Sequence, residues 1–108
     1  MNMYMSDLRF GADKDEIMTV ADVYALLSSR TFYEKNGSKK YRFDSKGLII
    51  NRCASTPFMV YEEDGHFYIS MTTGVFTENE LRIECAHADG CTFHFYGKET
   101  GLEALVLE

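Results

Sequence analysis

The sequence contains no tryptophan and a single proline, Pro57, in 108 residues. One proline cannot mark a domain boundary, and no repeat period, low-complexity tract or long linker appears elsewhere. A 12.4 kDa chain without such breaks reads as one domain, 1–108, because two cores would each fall near the size at which domains need disulfides or metals. Basic residues are also scarce. Eleven Lys and Arg stand against seventeen Asp and Glu, a formal charge of -6, whereas sequence-independent binding to a phosphate backbone draws on a basic stripe. On that count, direct binding to nucleic acid is not expected. No stretch approaches the roughly 18 consecutive apolar residues that would span a bilayer. The opening MNMYMSDLRFGADKDE lacks the basic start, apolar run and small-residue cleavage site of a secretory signal. Cys53, Cys85 and Cys91 are an odd count in a chain without an export signal, so reduced thiols are expected in place of disulfides. These absences together lead to the expectation of a cytoplasmic protein with no membrane partner.

What is present is the composition of a soluble globular domain: 45% hydrophobic, 14% aromatic and 26% charged residues. Glycine placement organises it. Seven of the eight glycines fall at or after Gly37, and Asn36-Gly37, Lys46-Gly47, Asp64-Gly65 and Asp89-Gly90 each separate alternating or aromatic runs, as hairpin turns do. Before them lies one helix, expected over about 19–29. Thr19 followed by Asp22 resembles a capping box, and Met18 and Val23 occupy staple positions. Val20, Val23, Tyr24 and Leu27 form its apolar stripe.

Turn arithmetic fixes the pairing. A two-residue turn at Asn36-Gly37 sets Phe32 against Tyr41, and one at Asp64-Gly65 sets Val60 against Ile69 and Phe58 against Met71. At Asp89-Gly90 a three-residue loop, 88–90, places Phe93 against Cys85 and Phe95 against Ile83, which matches apolar with apolar better than a two-residue turn does. Strands are expected near 31–35, 39–44, 48–53, 57–63, 66–72, 80–87, 91–97 and 102–107. Short pieces at 4–10 and 75–77 are further candidates, and LEALVLE at the end fits a strand or a short helix. The fold class expected is α+β, mainly β: an N-terminal helix followed by an antiparallel up-and-down meander of seven or eight strands, forming a small barrel or strongly curled sheet. An open edge at 31–35 or 102–107 would permit a homodimer.

The N-terminal helix, the Leu-rich turn into Arg30-Thr31-Phe32, the KYRFDSKG segment from Lys40 to Gly47 and the successive hairpins resemble lipocalin-like (calycin) up-and-down β-barrels over roughly residues 26–97. Lipocalins usually carry a Gly-x-Trp motif at the first strand, where this sequence reads Ser29-Arg30-Thr31-Phe32. The resemblance implies a small barrel and, as an alternative function, binding of a small hydrophobic ligand.

No motif encodes a reaction. The registers set His66 opposite Glu63 and His94 opposite Glu84, the pattern of exposed cross-strand ion pairs. His87 falls at a hairpin end opposite Cys91. No nucleophile elbow or glycine-rich oxyanion loop accompanies these histidines, so no enzyme and no catalytic residue is expected. Cys85, His87 and Cys91 share one strand face and are the alternative zinc ligands. Their spacing matches no paired Cys-x-x-Cys finger, so neither metal nor cofactor is expected.

The aromatic residues say more. Phe32, Tyr41, Phe43, Phe58, Phe67, Phe93 and Phe95, with Val60, Ile69, Met71, Leu81 and Ile83, make one core face. On the opposite face Tyr61 meets Tyr68 and Tyr96 meets Arg82, with Tyr33 and Met59 on the same side. Tyr and Arg concentrate at protein interfaces. Acids cluster at Asp13, Asp15 and Glu16, at Glu62, Glu63 and Asp64, and at Glu78, Glu80 and Glu84, where they would complement a cationic partner. The function expected is a protein-binding module, a small acidic inhibitor of a basic macromolecular partner. Its contact residues would be Tyr33, Met59, Tyr61, Tyr68, Arg82 and Tyr96, with Glu62, Glu63 and Asp64.

Overall fold

A computed structural model describes residues 19–71, 78–86 and 92–108. The helix α1 spans Val20–Leu27. Thr19 caps it as the sequence predicts: the Thr19 hydroxyl accepts from the Asp22 N–H at 3.2 Å and the Asp22 carboxylate accepts from the Thr19 N–H at 2.9 Å. Val23 and Leu27 are fully buried, and Val20 and Tyr24 pack partly against the same core. The other staple position, Met18, lies outside the described residues, as do the candidate strands 4–10 and 75–77.

Among the described residues eight strands follow: β1 Phe32–Tyr33, β2 Lys40–Asp44, β3 Gly47–Ile50, β4 Phe58–Glu63, β5 His66–Met71, β6 Glu80–Ala86, β7 Thr92–Gly97 and β8 Glu103–Leu107. Every register derived from turn arithmetic is present where it can be read. Phe32 faces Tyr41, Val60 faces Ile69, Phe58 faces Met71, Cys85 faces Phe93 and Ile83 faces Phe95. The β4–β5 turn is built on left-handed residues, Asp64 at φ 54° and Gly65 at φ 81°. The turn between β2 and β3 differs from the expected Lys46-Gly47: Asp44 pairs with Gly47, so Ser45 and Lys46 form the loop. The C-terminal LEALVLE resolves as a strand, because its alternate residues Leu105 and Leu107 reach the core from β8.

The strands do not form one meander closed into a barrel. They divide into an antiparallel sheet β1-β2-β3 and an antiparallel sheet β4-β5-β6-β7-β8. The two meet at narrow seams. At one, the Tyr33 and Glu108 backbones exchange hydrogen bonds, both 2.9 Å, and the Lys35 N–H donates to the Val106 carbonyl at 3.0 Å. The two edges expected to be open, 31–35 and 102–107, thus bond to each other. At the second seam Leu48 and Thr56 exchange bonds of 2.8 and 2.9 Å. This pairing cannot lengthen: β3 is cut on one side by the Ser45-Lys46 turn and on the other by Asn51, which sits at φ 58° and reverses the chain.

Among the described residues, seventeen buried apolar side chains from α1 and both sheets form a single core, Cys85 among them. Aromatic contacts run across it. Tyr24 stacks on Phe58 at 5.7 Å, Phe58 meets Phe43 edge-on at 5.4 Å, and Phe32 meets Phe93 edge-on at 5.3 Å. The buried Tyr41 phenol is pushed up to about 12 by desolvation and by the nearby Glu34 carboxylate. Its folded value lies above the ordinary phenol range near 10, so the stabilisation it confers is present below pH ~10 and is lost as pH rises through about 12. Urea unfolding of wild type should lose roughly 2–3 kcal/mol from this group between those limits. Tyr41→Phe should remove that portion of the alkaline loss. An identical alkaline profile in the variant would show that Tyr41 is not its source.

Candidate functional site

The five-stranded sheet turns its inner residues to the core, so alternate residues necessarily share the outer face. One row across that face reads Tyr61, Tyr68, Arg82 and Tyr96, since Tyr61 pairs with Tyr68, Tyr68 with Arg82 and Arg82 with Tyr96. The Tyr61 and Tyr68 rings stack at 5.3 Å, and the Arg82 guanidinium lies 4.9 Å from the Tyr96 ring centre. The four side chains are half-buried against one another, which fixes their rotamers before any partner arrives.

Lys98, which the sequence reading did not single out, holds the first two rings. Its Nζ lies 5.2 and 4.9 Å from the Tyr61 and Tyr68 ring centres. It donates to the Tyr61 hydroxyl and to Glu63 Oε1, each at 3.0 Å, and approaches Glu80 Oε1 at 3.5 Å. The Tyr61 hydroxyl donates in turn to Glu80. Desolvation and the Glu80 hydrogen bond push the Tyr61 phenol up, the Tyr61 hydrogen bond pulls the Glu80 carboxyl down, and the Tyr61 and Glu63 bonds push the Lys98 ammonium up. Each shift drives its group further into its ordinary charge state at neutral pH. A neutral phenol, a carboxylate and an ammonium so fixed make a structural network, with no group poised to exchange a proton near pH 7. Lys98 could have been found by extending the register: Leu81 pairs with Gly97, which carries Lys98 to Glu80.

The histidine pairings are corrected by the structure. The registers are as expected, with Glu63 opposite His66 and Glu84 opposite His94. The ion pairs form elsewhere, because Glu84 is taken by Arg82 at 2.9 Å and His94 Nδ1 turns to Glu103 of β8, also at 2.9 Å. Glu78 has a local structural tie: its carboxylate accepts from the Glu99 N–H at 2.8 Å and the Thr100 hydroxyl at 2.6 Å, closing the turn after β7.

The other contact candidates disperse. Met59 is 60% exposed and shares the outer face with Tyr61 two residues on. Glu63 lies on that face too. Glu62 has the parity of the buried Val60 and pairs with Phe67, yet its side chain is exposed, and Asp64 sits in the turn. Tyr33, 55% exposed, belongs to β1 in the other sheet, so it is not part of the row. Of the zinc alternative, Cys85 is buried facing Phe93, while His87 and Cys91 lie outside the described residues. Among the described residues no group of three or more His, Cys, Asp or Glu is placed to hold a metal ion, and no helix is long and apolar enough to cross a membrane.

Charge is segregated between the two sheets. Residues 30–52, which build the three-stranded sheet, contain seven Lys and Arg against two acids, Glu34 and Asp44. Residues 58–108, which build the five-stranded sheet, contain two cations, Arg82 and Lys98, against ten acids. Comparison of the chain with protein-family models, with curated proteins and with solved structures finds no significant match.

Proposed function

We propose that this chain is a non-enzymatic protein-binding module that presents the outer face of the five-stranded sheet to a partner with a basic surface, acting as a small acidic inhibitor of that partner. The observation that carries this reading is the row Tyr61, Tyr68, Arg82 and Tyr96, set among the carboxylates of Glu63, Glu80, Glu84 and Glu103. Rings and a guanidinium already locked in place bury large area at small entropic cost, which is the character of interface hot spots. The four carboxylates outnumber the two cations on the face, and the wider segment is strongly acidic, which favours encounter with a cationic surface. The fixed charge states around Lys98 support a binding role over a catalytic one.

The alternative, a lipocalin-like carrier of a small hydrophobic ligand, needs interior volume. The seventeen core side chains, six of them Phe or Tyr, occupy the space between the sheets and support the first reading over this one.

The test is gentle capture of the chain from its own cells followed by native mass spectrometry, repeated with Tyr68→Ala and Arg82→Ala. A stoichiometric complex with a basic protein is expected. Each variant should weaken it by about 30-fold or more while its melting temperature stays within roughly 5 °C of wild type. A complex that survives both substitutions would place the interface elsewhere. A monomer carrying a small-molecule mass increment would favour the carrier.

A further inference from the structure

The three-stranded sheet carries a second surface, opposite in charge to the first. Lys40 and Arg42 alternate along β2 with the buried Tyr41 and Phe43, so both point outward. Tyr33 pairs with Lys40, and Ile49 pairs with Arg42. The Lys40 N–H is held by Asn51 Oδ1 at 2.9 Å, which brings the loop bearing Arg52 to the same end as the hairpin bearing Lys39. All these cations are exposed. Arg42 pairs with Asp44 at 3.3 Å while staying 59% exposed, and among the described residues Lys39, Lys40 and Arg52 make no ion pair. Between the outward residues lies an open depression of about 240 Å³, lined by Thr31, Lys40, Tyr41, Arg42, Ile49 and Asn51.

We infer that this face binds single-stranded nucleic acid. Exposed cations on and beside β2 supply phosphate contacts, and Tyr33, exposed beside Lys40, supplies a ring on which a base stacks; this combination is how sequence-tolerant single-strand binding is built. An acidic peptide would use the cations and leave the ring idle. A duplex is straight over many turns, with a persistence length of about 150 base pairs, so it would carry its phosphates past the acidic sheet of a molecule only 41 Å long. A single strand bends away from that sheet. The net charge of -6 argues against nucleic acid only where charge is spread evenly, and here the cations are gathered on one sheet. This inference goes beyond the acidic-face reading and shares no residue with the row of the five-stranded sheet.

The experiment is fluorescence anisotropy with a labelled thymidine single strand of about eight nucleotides, a labelled duplex of about 20 base pairs, which at about 3.4 Å per pair outruns the 41 Å molecule, and a labelled poly-glutamate peptide. Wild type should bind the single strand saturably, losing roughly 10- to 20-fold in affinity between about 50 and 200 mM salt, as three or so phosphate contacts imply. The double reversal Lys40→Glu/Arg42→Glu should weaken binding by at least about tenfold and flatten the salt dependence. Tyr33→Ala should weaken it about tenfold with the salt slope unchanged. Tyr68→Ala should have no effect, so failure of this proposal and failure of the acidic-face reading are separately visible. Because the substituted side chains are exposed, thermal melts of the variants should overlay wild type. The proposal is overturned by absence of saturable binding at low salt, by binding indifferent to the charge reversal, by equal or tighter binding of the duplex, or by preference for poly-glutamate.

Discussion

Phe32→Ala is expected to lower the melting temperature by roughly 15–30 °C, the largest effect of any single substitution considered for this chain. Phe32 is 1% exposed and belongs to the shortest strand, yet it joins the two sheets. Its ring meets Phe43 of the three-stranded sheet at 6.3 Å and Phe93 of the five-stranded sheet at 5.3 Å, and Arg30 covers it at 4.3 Å. Removing it leaves a cavity between two rigid surfaces that backbone bonds hold at both seams, so little collapse can refill it. Truncating a buried Phe costs about 3–5 kcal/mol, a large share of the 5–15 kcal/mol typical of a whole domain. Phe58 is the internal comparison. It is only half-buried and stacks on Tyr24 at the helix, so Phe58→Ala should cost clearly less. Thermal unfolding followed by circular dichroism gives both numbers. Equal losses for the two variants would show that the sheets are not held together at Phe32.

Gly47→Ala is expected to cost about 2–4 kcal/mol and to open one seam selectively. Gly47 sits at φ +131°, where a side chain is strained, and a Cβ there would lie 2.5 Å from the Thr56 carbonyl oxygen and 2.8 Å from its carbon. Backbone cannot yield as a flexible side chain does, so either the Leu48–Thr56 bonds lengthen or the β2–β3 hairpin tilts away. Gly65→Ala separates the two causes. That glycine is also left-handed, at φ +81°, but nothing lies within 4 Å of its missing Cβ, so only the conformational strain of about 1 kcal/mol should be seen. Hydrogen exchange should show the Leu48 and Thr56 amides losing protection in Gly47→Ala while β6 and β7 keep theirs. Similar losses in the two glycine variants, with the seam amides still protected, would remove the steric part of the argument.

The local structure was legible because it depends on short-range signals. Thr19 and Asp22 are close in sequence and announce the cap, and the alternation around Asp64-Gly65 sets six residue pairs from one turn. The same arithmetic placed Tyr61 beside Tyr68 and Arg82 beside Tyr96, so most of the candidate row was readable before any coordinates. It misjudged the ion pairs, because register names the residue directly opposite, whereas long side chains choose among several neighbours. Glu84 reached Arg82 along its own strand, and His94 reached across to β8. Tyr33 was assigned to the row because parity says which face of a strand a residue occupies and is silent on which sheet that strand joins.

By itself the sequence determined the helix, the hairpin registers and most of the core face those hairpins share, since each follows from turn chemistry and a period of two, while it left the last segment open between strand and helix. Only the tertiary structure decided that the strands part into two sheets, because the loop 51–57 and the brevity of β3 limit pairing there to a single bridge. That division also decides what the charges mean. A net charge is a sum along the chain, whereas a partner meets a surface, and among the described residues folding gathers the cations of 30–52 with the three-stranded sheet and the acids of 58–108 with the five-stranded one.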